Sequence, residues 1–184
     1  MLETVKIPGP LELALEKAKK LKLLILDVDG VLTDGKLFFD NEGNEYKSFH
    51  ARDGHGIKLL RQTGVEVAVI SGRKSNSVAL RMKNLGIMHV YQGYENKQAA
   101  FNEIIKNTGI TSEQVAHVGD DLLDLPIMIR VGLAIAVCDA NFAVKERADW
   151  CTTLPGGQGA VREVCDFIMQ AQGHFDEILN AYLK

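Results

Sequence analysis

No run of apolar residues in this 184-residue chain approaches the roughly 20 that a bilayer-spanning helix requires, so no helical membrane span is expected. Cysteine is scarce as well. Cys138, Cys151 and Cys165 make no C-x-x-C pair, and three is an odd number, which argues against a disulfide scaffold or zinc ribbon. The reading is small, buried, inert thiols in a reducing, cytoplasmic setting. Basic charge is not in excess either: 21 Lys and Arg against 24 Asp and Glu give a net charge of -3, which offers no field for nucleic acid or an anionic membrane. The histidines show no zinc-ligand spacing; His50 and His55 flank Arg52 and Asp53, and His89 and His117 fall in strand-like runs, as packed or edge residues. Repeats, low-complexity tracts and linkers are missing, and the length favours a single domain over residues 1–184.

What is present is an alternation of short apolar runs and helical patterns. The segment LELALEKAKKLK carries Glu12, Glu16, Lys17, Lys19 and Lys20, too much charge for a signal-peptide core. Leu11, Leu15, Ala18 and Leu21 fall on one face of it, predicting an amphipathic helix after Pro10. Strands are predicted at Leu23 to Leu26, Val65 to Ile70, Met88 to Tyr91, Val115 to Val118 and Leu133 to Val137. Helices are predicted between them at Gly56 to Gln62, Ser75 to Leu85, Lys97 to Asn107 and Leu122 to Arg130, with Gly64, Gly86, Gly109 and Gly132 as stop signals. Thr111-Ser-Glu-Gln114 has capping-box spacing and predicts a short turn of helix. This order argues for an α/β fold: a Rossmann-like parallel sheet with helices on both faces.

One excursion breaks the alternation. KLFFD and NEYKSFH, joined across Asn41-Glu-Gly43, predict a β-hairpin over residues 36–50, inserted before the first long helix. Leu37, Phe38, Phe39, Tyr46 and Phe49 give it a heavy apolar load. Either the hairpin folds back on its own domain or it docks on another subunit.

In an open parallel sheet, ligands gather at the carboxyl ends of the strands. Acidic residues recur there. The first strand runs into Asp27-Val-Asp29-Gly, the second into Ser71-Gly72-Arg73, and the fourth into Gly119-Asp120-Asp121, with Asp124 one helical turn on. Carboxylates crowded into one crevice repel one another unless protons or a cation neutralise them. An all-oxygen set without Cys or His points to Mg²⁺, which uses one or two carboxylates plus waters and substrate phosphate. A carboxylate can also attack phosphorus, while a second protonates the leaving alkoxide and later deprotonates water. The i, i+2 pair Asp27 and Asp29 suits that division. Ser71, the Gly72 backbone N–H and Lys97 offer donors for the charge on the transferring group.

DVDGVLTDG, VISGR, Lys97 and GDDLLDLP resemble, in order, the four motifs of the haloacid dehalogenase superfamily over residues 23 to 126. The resemblance implies that Asp27 is the nucleophile, Asp29 the general acid and base, and Ser71 and Lys97 the phosphate binders. It implies Mg²⁺ on the Asp27 carboxylate, the Asp29 backbone carbonyl and Asp120, with Asp121 and Asp124 supporting. SFHARDGHGIKLL, SGRKS and GGQGAVREV further resemble the capless phosphatases of 3-deoxy-D-manno-octulosonate (KDO) 8-phosphate in lipopolysaccharide biosynthesis. The span from Gly35 to His55 is indeed too short for a cap domain. In that group hairpins assemble a homotetramer and a neighbouring subunit covers the site, which would employ the apolar hairpin.

A sugar acid phosphate presents a carboxylate and a phosphate, both suited to the planar fork of arginine. By resemblance, Arg73 and Arg81 contact substrate together with His50, Ala51, Arg52, Asp53, Gly54 and Lys58, some from an adjoining subunit. Arg73 also favours the octulosonate over the related nonulosonate 9-phosphates, the alternative substrates. A non-catalytic assembly module would be marked by loss of Asp27 or Asp29, and both are present. Gly54-His-Gly56 is no dinucleotide fingerprint, because Leu59 takes the third glycine position. Two features stay open: residues 160–184 are expected to form C-terminal helices, and the loop Gly156-Gly-Gln-Gly159 before them reads either as an anion cradle or as a plain turn, with Gln158 where many relatives carry a cation.

Overall fold

The computed structural model describes residues 9–184, so the first eight residues of the expected domain lie outside it. Its frame is a six-stranded sheet in which every neighbouring pair is parallel. In chain order the strands are β1 (Leu23–Leu26), β4 (Glu66–Ser71), β5 (His89–Gln92), β6 (Val115–Gly119), β7 (Leu133–Ala136) and β8 (Trp150–Cys151), and across the sheet they lie β5-β4-β1-β6-β7-β8. The chain builds outward from β1 through β4 to β5, then returns to the other side of β1 with β6. That reversal puts the topological switch point at the end of β1, flanked by the ends of β4 and β6.

The helices are α1 (Pro10–Ala18), α2 (Ala51–Gln62), α3 (Asn76–Leu85), α4 (Lys97–Thr108), α5 (Leu125–Met128), α6 (Phe142–Lys145), α7 (Ala160–Ala171) and α8 (Phe175–Tyr182). All four residues of β1 are buried, as a strand covered on both faces requires. Side chains alternate across it. Leu24 and Leu26 join the larger core under α1, α2 and α7, whereas Leu23 and Ile25 join a smaller one with Ala100, Phe101 and Ile104 of α4 and Ile127 of α5. Truncating Leu24 or Ile25 to Ala would remove about 2–5 kcal/mol, the range for fully buried aliphatic side chains. β1 is therefore a stiff support for whatever stands at its end.

Several local expectations need correction. Helix α2 begins at Ala51, not Gly56, because Gly54 and Gly56 lie inside it where Arg81 and Arg162 press against their α-carbons. The stretch after Asp121 is a 3-10 turn, Leu122–Asp124, followed by the short α5, and it stops before Arg130. Two short elements, α6 and β8, carry too few residues to show a period and were not expected. Leu11 is 54% exposed; the buried stripe of the first helical segment runs through Ala14, Ala18 and Leu21. Of the cysteines only Cys165 is buried, while Cys138 and Cys151 are half-buried, and all three are free thiols.

The hairpin forms with Phe38 opposite Tyr46 and Phe39 opposite Glu45, its strands being β2 (Phe38–Phe39) and β3 (Glu45–Tyr46). Its polar residues Glu45 and Lys47 turn in toward the domain, but most of its apolar load does not fold back on it. Leu37, Phe38, Phe39 and Tyr46 remain 47% to 57% exposed, and only Phe49 packs on the core. Among the described residues no helix is long and apolar enough to cross a membrane, and no insertion forms a cap.

Candidate active site

The turn after β1 determines where its carboxylates point. The Asp27 N–H donates to the Val118 carbonyl at 3.1 Å, continuing the ladder with β6. The chain then wraps: the Val28 carbonyl accepts from Leu32 at 2.9 Å and Thr33 at 3.0 Å. Gly30 sits at φ +91°, a left-handed conformation that side-chain-bearing residues rarely adopt. Space forbids a side chain there as well, since a Cβ on Gly30 would lie 2.1 Å from Asp120 Oδ2. Asp120, from the end of β6, thus lies directly against the Asp27–Gly30 turn.

The glycine-rich loop before α7 closes the other side of this turn. The Gly157 N–H donates to the Val31 carbonyl at 2.9 Å, and a Cβ on Gly156 would fall 1.7 Å from the Gly30 carbonyl oxygen. Gly156 and Gly157 therefore brace the turn that carries Asp27 and Asp29. Of the two readings of that loop, the structure supports a buttressing turn, with Gln158 exposed.

The floor of the crevice is a buried cluster with more acid than base. Lys97, the first residue of α4 and 3% exposed, places Nζ 2.8 Å from Asp27 Oδ1 and 2.6 Å from Asp124 Oδ1. Asp124 is saturated: Oδ1 also meets His117 Nε2 at 2.9 Å, and Oδ2 accepts the Asp120 and Asp121 backbone N–H groups at 3.0 and 3.3 Å. Burial opposes its charge, but the hydrogen bond and charge of His117 and the Lys97 ammonium outweigh burial and hold the carboxyl well below its usual range. Asp27 goes the other way. Burial first, then the Asp124 charge, push it up to about 6 against the pull of Lys97. Burial and the charges of Asp27 and Asp124 push Asp120 up to about 8. Two carboxylates that resist ionisation beside one that is locked ionised form a site short of positive charge.

A divalent cation fits that shortage. Asp27, Asp120 and Asp124 each offer an oxygen within 4.8 Å of the others. Because all the acceptors of Asp124 are engaged, Asp27 and Asp120 are the side chains left to hold an ion, with Asp124 orienting their surroundings. The Asp29 carbonyl accepts none of the hydrogen bonds of the turn. An all-oxygen set of this kind matches a hard ion such as Mg²⁺.

The mouth of the crevice is built differently. Asp29 pairs through Oδ1 with Lys47 Nζ, and Lys47 lies 2.9 Å from Glu45 Oε1, a close ion pair whose alignment falls short of a hydrogen bond. Glu45 Oε2 in turn accepts from the Arg73 guanidinium at 2.5 Å. Arg73 follows Ser71 and Gly72 at the end of β4; the buried Ser71 hydroxyl accepts from the Arg73 N–H at 3.2 Å. Asp27, Asp29, Ser71, Gly72, Arg73, Lys97, Asp120, Asp121, Leu123 and Asp124 together line a cavity of about 170 Å³.

Sequence reasoning also named residues that this chain does not bring to the cavity. Asp53 is buried away from the cavity and accepts the Arg162 N–H at 2.8 Å at the start of α7. Gly54 and Arg81 are packed on each other, and the Arg81 guanidinium stands 5.9 Å from the Phe49 ring centre. Arg52 is exposed beside Trp150 and Arg162, and Lys58 is exposed beside Lys83 and Gly86, both in separate clefts. Ala51 is exposed at the start of α2, and His50 holds the N-cap position of that helix without a side-chain hydrogen bond to it. Missed altogether were Glu45 and Lys47, whose i, i+2 spacing in the extended hairpin segment NEYKSFH was a signal that both face one side. His117, read as simply packed, is buried but bonded to Asp124.

Comparison with known proteins places the chain in a family. A family model described as haloacid dehalogenase-like hydrolase matches residues 86–163. The 3-deoxy-D-manno-octulosonate 8-phosphate phosphatase KdsC of Escherichia coli (strain K12) is 51% identical over 161 residues, 88% of this chain and 86% of that protein. The crystal structure of the Moraxella catarrhalis 3-deoxy-D-manno-octulosonate 8-phosphate phosphatase, in complex with magnesium ion, phosphate ion and KDO, superposes with a TM-score of 0.90 at 41% identity, covering 92% of this chain and 97% of that one. The Yersinia pestis enzyme of the same name gives a TM-score of 0.89 at 43% identity, covering 90% and 89%. Identity at this level, over nearly the whole of both chains and with acidic residues at the ends of β1 and β6, establishes that the chain belongs to the haloacid dehalogenase-like hydrolases.

Proposed function

We propose that this chain is a magnesium-dependent phosphatase that hydrolyses 3-deoxy-D-manno-octulosonate 8-phosphate to KDO and inorganic phosphate, in lipopolysaccharide biosynthesis. The observation that carries the reading is the shared floor, in which Lys97 bridges Asp27 and Asp124 while Asp120 faces the Asp27 turn, in a chain 51% identical to a phosphatase of that substrate.

An Asp27 carboxylate oxygen attacks phosphorus as the bond from phosphorus to the sugar oxygen breaks. Asp29 gives its proton to the departing alkoxide. Water then attacks the aspartyl-phosphate, Asp29 takes a proton from it, and phosphate leaves with Asp27 restored. Lys97, the Ser71 hydroxyl and the Gly72 N–H hold the phosphoryl oxygens through both displacements. Asp27, Asp120 and the Asp29 carbonyl would hold Mg²⁺, whose charge would offset that of the phosphoryl group. Arg73 meets the sugar acid at the mouth. Contacts from His50 to Gly54, Lys58 and Arg81 belong to this reading only if a neighbouring subunit presents them, since within one chain they lie apart from the cavity. The exposed aromatic hairpin supports a homotetramer, and the enzyme is cytoplasmic in this account.

The test is release of inorganic phosphate from a panel of sugar and sugar acid phosphates, with Mg²⁺ and with chelator. The 8-phosphate is expected to be preferred and chelator to abolish turnover. Preference for a nonulosonate 9-phosphate or a simple sugar phosphate would reassign the substrate, and sedimentation as a fully active monomer would remove the tetramer.

A further inference from the structure

We infer that Lys47 of the hairpin is a positioning residue for Asp29, and that Glu45 ties it to Arg73, so that the hairpin sets the geometry of proton transfer within its own subunit. The inference rests on the proposed role of Asp29 as proton donor to the leaving group.

Lys47 is an unusual residue to find on an excursion. Its side chain is 1% exposed, in a hairpin whose apolar residues are about half exposed. A buried ammonium is expensive unless paired. Lys47 has two carboxylates, Asp29 and Glu45, and Glu45 has a second cation, Arg73. With Asp29 in the ionised form that takes the proton from water, the result is a chain of alternating sign, with two charges of each kind. Continued alternation from β3 into the residue after it accounts for it: Glu45 and Lys47 point inward while Tyr46 between them is 56% exposed.

The geometry assigns the consequence. Lys47 engages Asp29 through Oδ1 alone, and Asp29 Oδ2 has no partner among the described hydrogen bonds and ion pairs. Fixing one oxygen sets the rotation of the carboxyl and leaves the other to carry the proton. In the transfer, that O–H bond breaks as the phosphorus–oxygen bond of the ester breaks, and the electron pair of the latter goes to the oxygen that receives the proton. Without Lys47, Asp29 and Glu45 would face each other as like charges and the carboxyl would lose its fixed rotation.

The experiment compares Lys47→Met, Lys47→Arg and wild type by kcat/KM for two substrates, with Mg²⁺ saturating. One is KDO 8-phosphate, whose alkoxide must be protonated. The other is p-nitrophenyl phosphate, whose leaving group departs without a proton. Lys47→Met is expected to lose about 100-fold on the alkyl ester, the scale of one general acid, and only a few-fold on the aryl ester. Lys47→Arg should recover to within about tenfold of wild type, since it restores the charge that fixes Asp29. Equal losses on both esters, or none on either, overturn the inference. If Lys47→Met shows no cooperative melt, Glu45→Gln is read on the same two esters; it loosens Lys47, and a loss no larger for the alkyl ester would again refute the idea. Wild type that cleaves other alkyl phosphates but not KDO 8-phosphate would instead contradict the proposed substrate, and the comparison would then use the best alkyl ester.

Discussion

Asp27 and Asp29 are two residues apart and stand in opposite electrostatic circumstances. On the floor, Asp27, Asp120 and Asp124 share the single ammonium of Lys97, and burial leaves Asp27 and Asp120 resisting ionisation. At the mouth, Asp29 belongs to a balanced chain with Lys47, Glu45 and Arg73. The difference separates two jobs. An unbalanced cluster has a place for something it lacks, which here is a cation and the phosphoryl group that comes with it. A balanced cluster needs nothing and serves to hold a side chain still. Stability is traded for binding on the floor, whereas at the mouth charge is used for orientation.

The sharpest way to break this comparison is Asp27→Asn, which keeps the shape and removes the attacking carboxylate. Turnover should fall by about 10⁴-fold with far-UV circular dichroism and the thermal melt preserved; retained turnover would take Asp27 out of the reaction. Asp124→Asn probes the floor without touching the nucleophile. It leaves Lys97 and His117 without their shared anion and should weaken Mg²⁺ binding about 10- to 100-fold by titration calorimetry, the size of effect seen when a residue that orients metal ligands is lost. At the mouth, Arg73→Ala should reduce kcat/KM for the sugar acid phosphate by about tenfold and less for p-nitrophenyl phosphate. Equal losses would make Arg73 a phosphate ligand.

The smallest effect concerns stability and pH. Asp27 and Asp120 move from an ordinary value of 3.8 up to about 6 and about 8 in the folded chain, so the folded state holds protons that the unfolded state releases. Their contribution to stability is full below that ordinary value and drains away as pH rises through the two folded values. Asp124, held low, works in the opposite direction, but its contribution is lost only as the solution becomes strongly acid. Mg²⁺ takes the place of the missing protons. Its effect on Tm should therefore grow from about pH 5.5 to about pH 8, by several degrees, and a gain independent of pH would show that the floor is not the binding site.

Much of this was legible in the sequence because it rests on strong local patterns. The apolar runs at β1, β4, β6 and β7 are buried on both faces and show as continuous hydrophobic stretches, and the acidic residues that follow two of them mark the switch point. Asp27, Ser71, Lys97 and Asp120 could be named because each stands at, or directly after, the end of an element whose position was clear. Other features depended on contacts distant in sequence. Gly54 and Gly56 look like helix breakers until Arg81 and Arg162 are seen against them. The bond between Asp53 and the start of α7 joins residues more than a hundred positions apart, and no local pattern announces it. Glu45 and Lys47 were overshadowed by the aromatic residues around them, although strand alternation predicts that they face away from Tyr46. Trp150–Cys151 pairs with β7 over two residues only, too short a strand to leave a periodic trace.

The most direct test of the account is to quench the enzyme in acid during steady turnover of KDO 8-phosphate with Mg²⁺ and to map the peptides by mass spectrometry. The prediction is a phosphoryl group on the peptide that carries Asp27, lost once the substrate is exhausted and never seen without Mg²⁺. A phosphoryl group attached to Asp29, Asp120 or any other residue, with Asp27 unmodified, would contradict it.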